Sequence, residues 1–185
     1  MTDRAPPPPD LAGLSLAQIA EAVANRTLPP VAQWNPAHCG DSGMRIARDG
    51  TWYHDGAPIR RPAMVRLFST ILRREPDGRY VLVTPVEKLD IAVEDAPFVA
   101  VECKSEGAGR ARRIAFRLNT DDLVVMGPAH PLRIAHGHPY LMVRDGLEAL
   151  VARPAYYELA DLAIAEGHDP PGLWSDGAFF PLEDQ

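Results

Sequence analysis

One stretch of grammar occurs twice in this chain, and it constrains the fold more than any other feature. Residues 48–80 read RDGTWYHDGAPIRRPAMVRLFSTILRREPDGRY, and residues 144–180 read RDGLEALVARPAYYELADLAIAEGHDPPGLWSDGAFF. Each gives a turn, a strand, an Arg-Pro pair, a helix, an Asp-Gly turn and a strand. Pro62 and Pro154 stand 92 residues apart, with Leu67 and Leu159 at the same offset. Asp49-Gly50 and Asp145-Gly146 follow at 96, and Asp77-Gly78 and Asp176-Gly177 at 99. Fixed-order recurrence of this kind is the mark of an internal duplication. Each Pro opens its helix, where a missing N–H costs nothing. Each Asp-Gly supplies the positive φ that tight turns need.

The expected architecture is α+β: a duplicated core of antiparallel strands plus helix, spread over 185 residues. Residues 1–12 read as a disordered, Pro-rich lead-in, residues 13–85 as an N-terminal half and residues 86–185 as a C-terminal half. Ser15 and Gln18 form a capping box at the start of a helix over residues 16–25, and Pro29-Pro30 stops it. VAQWNPAHCGDSG (31–43) reads as a loop, and residues 44–48 and 51–54 as a hairpin. The helix from Pro62 is expected to reach Arg74 and to bury Val65, Phe68, Ile71 and Leu72. TPVEK reads as a polar crossover between strands. Residues 112–118 alternate, with Arg113, Ala115 and Arg117 on one face and Ile114, Phe116 and Leu118 on the other. That is the pattern of a half-buried antiparallel strand. Short strands continue as a meander to residue 151. A helix over 154–166 and a hairpin across Asp176-Gly177 close the chain.

Composition narrows the function. A net charge of −6 argues against a general nucleic-acid binder. Between residues 44 and 79, eight Arg face four acids, which leaves room for a basic face toward an anionic ligand. No run approaches the roughly 20 apolar residues of a membrane span. Without an export signal, Cys39 and Cys103 are expected to be reduced thiols in a cytoplasmic protein.

The strings WNPAHCG, DGTWYHDGAPIRRPAMVRLFSTILRREPDGRY, TPVEKLDIAVEDAPF and HPLRI…PY…VRDGLEALVARPAYYEL resemble a bacterial family, domain of unknown function family 1285. The resemblance covers most of the chain after Leu28. It implies a duplicated core whose C-terminal part looks superficially like a pleckstrin-homology fold. It also implies a binding site between the halves and a part in signal transduction, and it brings no catalytic residues.

Three groups of residues can carry chemistry. Glu87, Lys88, Asp90, Glu94 and Asp95 crowd into nine positions, and paired carboxylates in unlike environments can share acid–base work. Trp34, Trp52, Tyr53 and His54 with Arg60 and Arg61 suit a planar or anionic ligand, through stacking and bidentate hydrogen bonds. His130, His136 and His138 can share one face of a strand, but no carboxylate lies beside them in sequence to complete a metal site. Nucleotide, triad and zinc-protease motifs are absent, so binding is favoured over catalysis. The reading is a non-enzymatic module, with no cofactor or metal. It would take a small or anionic ligand, or a protein partner, in the crevice between the two halves, on Trp34, Trp52, His54, Arg60, Arg61, Glu87, Lys88 and Asp95. The alternatives are a small hydrolase-like enzyme using Glu87, Asp95 and a histidine, and a scaffold that captures a partner strand by β-augmentation.

Overall fold

The structure is a computed structural model and describes residues 13–184. The Pro-rich lead-in lies outside the described residues. Two compact units divide the chain: Thr27–Asp95, and residues 13–26 with 96–184. The division falls after Asp95, ten residues beyond the expected place, because the strand containing Glu87 and Lys88 is central to the first sheet.

The N-terminal unit holds strands β1 (His38–Ile46), β2 (Trp52–His54), β3 (Ala57–Pro58), β4 (Leu72–Arg74), β5 (Tyr80–Val83) and β6 (Glu87–Val93). Helix α2 (Pro62–Thr70) lies between β3 and β4. It follows α1 (Leu16–Ala24), which belongs to the other unit. The sheet order is β3-β2-β1-β6-β5-β4, with β1 and β6 parallel at its centre. Two antiparallel meanders, β1-β2-β3 and β4-β5-β6, are thus joined through their first and last strands, and α2 carries the chain from one outer edge to the other. Ile46, Trp52, Leu72, Val81, Val83 and Ile91 form the unit's core. Phe68 of α2 stacks on Trp52 with ring centroids 6.3 Å apart, so the helix closes one sheet face.

The C-terminal unit repeats the plan. Its strands are β7 (Phe98–Glu106), β8 (Arg113–Leu118), β9 (Leu123–Val125), β10 (Leu132–Ala135), β11 (His138–Arg144) and β12 (Leu147–Val151). Their order, β10-β11-β12-β7-β8-β9, is the first sheet's order read from the other side, again with the first and last strands parallel. The short link from β9 to β10 shows that this sheet curls. Five inter-strand steps of about 4.8 Å would hold flat outer edges some 24 Å apart. The link spans residues 126–131 and includes a tight turn in which His130 N–H donates to the Gly127 carbonyl, so it cannot cover that distance. Phe98, Ile114, Phe116, Leu118, Leu132 and Leu141 are among the residues that fill the curl.

The duplication is real, but its correspondence differs from the expected one. β1 and β7 begin 60 residues apart, as do β4 and β10, and β6 and β12. The helices that open at Pro62 and Pro154 are therefore not equivalent. α2 joins the two meanders of its sheet, whereas α3 (Arg153–Glu166) follows the last strand and leads to the hairpin β13 (Gly172–Ser175) and β14 (Ala178–Pro181). Arg-Pro and Asp-Gly mark any helix start or tight turn, so they matched at an offset the sheets do not share.

Other local expectations divide in the same way. Ser15 accepts from Gln18 N–H while the Gln18 side chain takes Ser15 N–H, completing the capping box of α1. Leu16 and Ile19 then bury against Ala115 of β8, with Leu14, Val23, Leu123 and Val125 around them. α2 stops at Thr70, four residues early. Ser69 and Thr70 hydroxyls bond back to the Arg66 and Leu67 carbonyls, which distorts a helix end. Ile71 then accepts from Val83 N–H, and Leu72 pairs with Leu82 as a strand. The TPVEK crossover is a strand from Glu87 onward. In β7 the alternation slips between Ala100 and Glu102, where the register with β8 shifts, so Phe98, Ala100 and Cys103 are all buried.

Candidate functional site

All eight candidate residues belong to the N-terminal unit, but its register does not gather them at one point. Trp34, Glu87 and Lys88 lie near the start of the central strand pair, where His38 faces Glu87 and Cys39 faces Lys88. Trp52 and Asp95 lie at the far end, beside Ile46 and Arg48. Arg60 and Arg61 follow the residue whose N–H bonds Trp52's carbonyl. The six steps from Glu87 to Val93 separate the two groups by about 20 Å.

Each group has its own work. Glu75 receives Arg73 Nε at 2.7 Å and Lys88 Nζ at 3.1 Å. Arg73 Nη1 also donates to the carbonyls of Val31 and Trp34, at 2.8 and 2.7 Å, and ties the 3-10 turn Val31–Gln33 to the sheet edge. Burial opposes the charge on Glu75, yet the hydrogen bonds from Arg73 and Lys88 outweigh it and hold the carboxyl below its ordinary range. Trp52 is 1% exposed and serves the core; its buried Nε1 has no partner among the described residues. His54 is exposed, with Nε2 3.5 Å from Asp55. Arg60 and Arg61 are exposed. Much of the basic excess of residues 44–79 is neutralised locally: Arg45 pairs with Glu94, Arg48 with Asp95, and Arg79 with Asp77 and Asp90.

The feature of this unit that sequence reasoning missed is a bulge in the central pair. Asp41 faces Asp90 and Arg45 faces Ala92, so β1 advances four residues where β6 advances two. Ser42 Oγ donates to the Asp90 carbonyl at 2.7 Å and accepts from Met44 N–H. Gly43 N–H donates to Asp41 Oδ1, and the Gly43 carbonyl receives Asp55 N–H. Gly43 has φ +66°, and a Cβ there would lie 2.5 Å from Asp55 Oδ1 and 3.7 Å from His54 Cδ2, so the turn needs glycine. Beside the bulge opens a hollow of about 520 Å³. Met44, Tyr80 and Ile91 give it an apolar wall, and Asp41, Asp90 and Arg79 a polar one. Bulges favour places where a strand must turn a side chain toward a site. The Asp-Ser-Gly run just before the strand-like residues 44–48 was the available signal.

The C-terminal unit has a hollow of about 500 Å³ lined by Glu106, Gly107, Arg110, Arg112, Arg113 and Asp176, among others. Arg112 is buried and committed: Nε and Nη2 reach Glu166 Oε1 at 3.0 and 2.7 Å, and Nη1 reaches Ser105 Oγ. Glu166 also accepts from Gly109 N–H and pairs with His168 at 3.1 Å. Burial resists its charge, but these partners together hold its pKa below the ordinary value. Cys103 is buried; desolvation, with Glu158 beside it, pushes its thiol up to about 12, so it stays protonated and unreactive at neutral pH. The histidines noted in sequence are spread along the β10–β11 hairpin and its approach. His130 Nδ1 faces the Met142 carbonyl, His136 sits in the turn and His138 pairs with Ala135. No three His, Cys, Asp or Glu side chains among the described residues are arranged to hold a metal ion.

Two six-stranded sheets of one topology, each with its own hollow, define a duplicated α+β protein. The chain belongs to the DUF1285 family: residues 29–96 match the N-terminal domain of unknown function of that name and residues 97–182 its C-terminal domain. It is similar to a DUF1285 family protein from Silicibacter pomeroyi DSS-3, at 50% identity and TM-score 0.79, over 92% of this chain and 95% of that one. It is also similar to a DUF1285 family protein from Shewanella baltica OS155, at 26% identity and TM-score 0.53, over 64% of this chain and 91% of the other. No curated protein matches it at a significant level.

Proposed function

We propose that the protein is a non-enzymatic binding module that holds a small amine with an apolar body in the hollow beside the β1 bulge. The observation that carries this reading is the bulge itself, which opens the middle of a sheet that regular pairing would have closed. The volume of about 520 Å³ suits a small molecule. Met44, Tyr80 and Ile91 supply the apolar surface, and Asp41 and Asp90 the charge. Arg79 is already balanced by Asp77 and Asp90, so the polar wall is net acidic and selects a cation. The anionic ligand expected from the arginine count does not suit this wall. Among the described residues, every carboxylate with a displaced pKa (Asp49, Glu75, Asp77 and Glu166) is displaced downward, which favours fixed charge over general-acid chemistry. β3 has two residues and β4 three, and such short edges favour a pocket over strand capture. A ligand-dependent shift of the bulge would be the output of a sensory protein.

The test is thermal unfolding of the full chain with phenethylamine, tyramine and 1,5-diaminopentane, repeated on Ala92→Trp, which fills the hollow from an exposed position. A ligand at 100 times its dissociation constant should stabilise the wild type by about 2.7 kcal/mol and leave the variant unmoved. If no amine raises the melting temperature, or if the shift survives in Ala92→Trp, the reading fails.

A further inference from the structure

We propose that the C-terminal unit carries a separate oxyanion site, in which Arg110 and Arg113 bind the phosphate group of a small organic phosphate. The site rests on how three neighbouring arginines are used. Arg112 turns inward, and Glu166 and Ser105 occupy its guanidinium. Glu166 also takes Gly109 N–H at 3.0 Å. One carboxylate therefore pins both ends of the 3-10 turn Gly109–Ala111.

Arg110 lies within that pinned turn and Arg113 just beyond it, and both line the hollow of about 500 Å³. The Arg110 guanidinium lies 4.7 Å from the Trp174 ring centre. Stacking holds a guanidinium by its face and leaves its N–H edge able to donate. No carboxylate among the described residues pairs with it. Arg113 has one ion pair, to Asp176 at 3.4 Å, with both side chains about half exposed. A phosphate oxygen is a stronger acceptor for such donors than a long, solvated pair.

The local charge points the same way. Lys104, Arg110, Arg112 and Arg113 outnumber Glu106, Glu166 and Asp176 in a chain whose net charge is −6. Leu16, Ala17 and Ala111 offer the body of the ligand an apolar floor. The arrangement was half visible in sequence: the EGAGRARR run is basic and Gly-rich, but nothing in it announces that Trp174, 64 residues on, would brace its first arginine.

The test follows arginine Nε–H signals by NMR in the full chain as inorganic phosphate or phenyl phosphate is added, at ionic strength held constant with chloride. The Arg110 and Arg113 signals should move along saturable curves while Arg112 stays still. Arg110→Ala should weaken binding about tenfold or more, and Arg110→Lys should recover only part, because the lysine lacks the planar fork. Both variants change an exposed side chain and should melt as the wild type does. Phenyl phosphate binding more tightly than inorganic phosphate would show that the floor contributes. Linear, unsaturable shifts, or curves unchanged in Arg110→Ala, would overturn the proposal. Neither outcome bears on the amine hollow, which the two arginines do not line.

Discussion

The two units share a strand order and differ in where they place a helix. In the N-terminal unit α2 lies inside the sheet's own connectivity and joins its outer edges. In the C-terminal unit a tight turn makes that join, and α3 is added after the last strand, with Ala155, Leu159 and Ala163 buried. The difference teaches that the heritable element is the pair of meanders locked through a parallel centre. Helices were fitted to it separately, wherever apolar sheet surface needed a cover. The locking charges follow the same rule. Each unit has one glutamate with a lowered pKa, Glu75 or Glu166, that gathers basic groups around a 3-10 turn, yet neither occupies the other's strand position.

Three measurements sharpen this comparison. The largest effect belongs to the curl. Phe116 is fully buried at its centre, and Phe116→Ala should cost about 4 kcal/mol in guanidinium unfolding. A cost near 1 kcal/mol would mean that the curl collapses around the gap and is not a packed core. Next come the two glutamates. Glu166→Gln leaves buried Arg112 without its counter-charge and should cost about 3 kcal/mol at neutral pH. Because folding lowers the pKa of Glu166, its stabilisation is complete above the ordinary carboxylate value of 4.5 and declines as pH falls below it. Wild type and variant should therefore converge in acid, and parallel pH profiles would disprove the linkage. Glu75→Gln should behave the same way in the other unit. The smallest effect is at Trp52. Phe in its place loses ring volume but also removes the unpartnered Nε1, so Trp52→Phe should cost less than about 1.5 kcal/mol. A penalty like that of Phe116→Ala would show that the indole N–H is satisfied in solution.

Features governed by near neighbours could be read from sequence. The Ser15–Gln18 box and the hairpin across Asp176-Gly177 fold as their spacing dictates. Residues 113–118 form the expected strand, but Leu16 and Ile19 cover its outer face at Ala115, which is buried rather than half-exposed. Features set by distant partners could not. Val65, Phe68 and Leu72 satisfy a helical period, yet Leu72 is claimed by Leu82 as a strand residue. His38, Cys39 and Gly40 look like loop because their pairing partners, Glu87 to Leu89, lie 49 residues away. The eight candidate residues were chosen for chemistry and proximity in the chain, and strand register then spread them along about 20 Å. Arg110 sits in a visibly basic, Gly-rich run, but its stacking on Trp174 had no local sign.

The parallel centre also has a bearing on how the protein is made. In each six-stranded sheet the strand translated first must wait for the strand translated last: Phe98 meets Ala149 only after the 50 residues between them have been made. Until then the nascent chain holds a three-stranded wing whose innermost edge is bare, and closing the sheet carries the entropy of a long loop. The duplicated plan gives this protein two such waits in succession. A stall before residue 93 would leave the first wing open to pairing with a stranger.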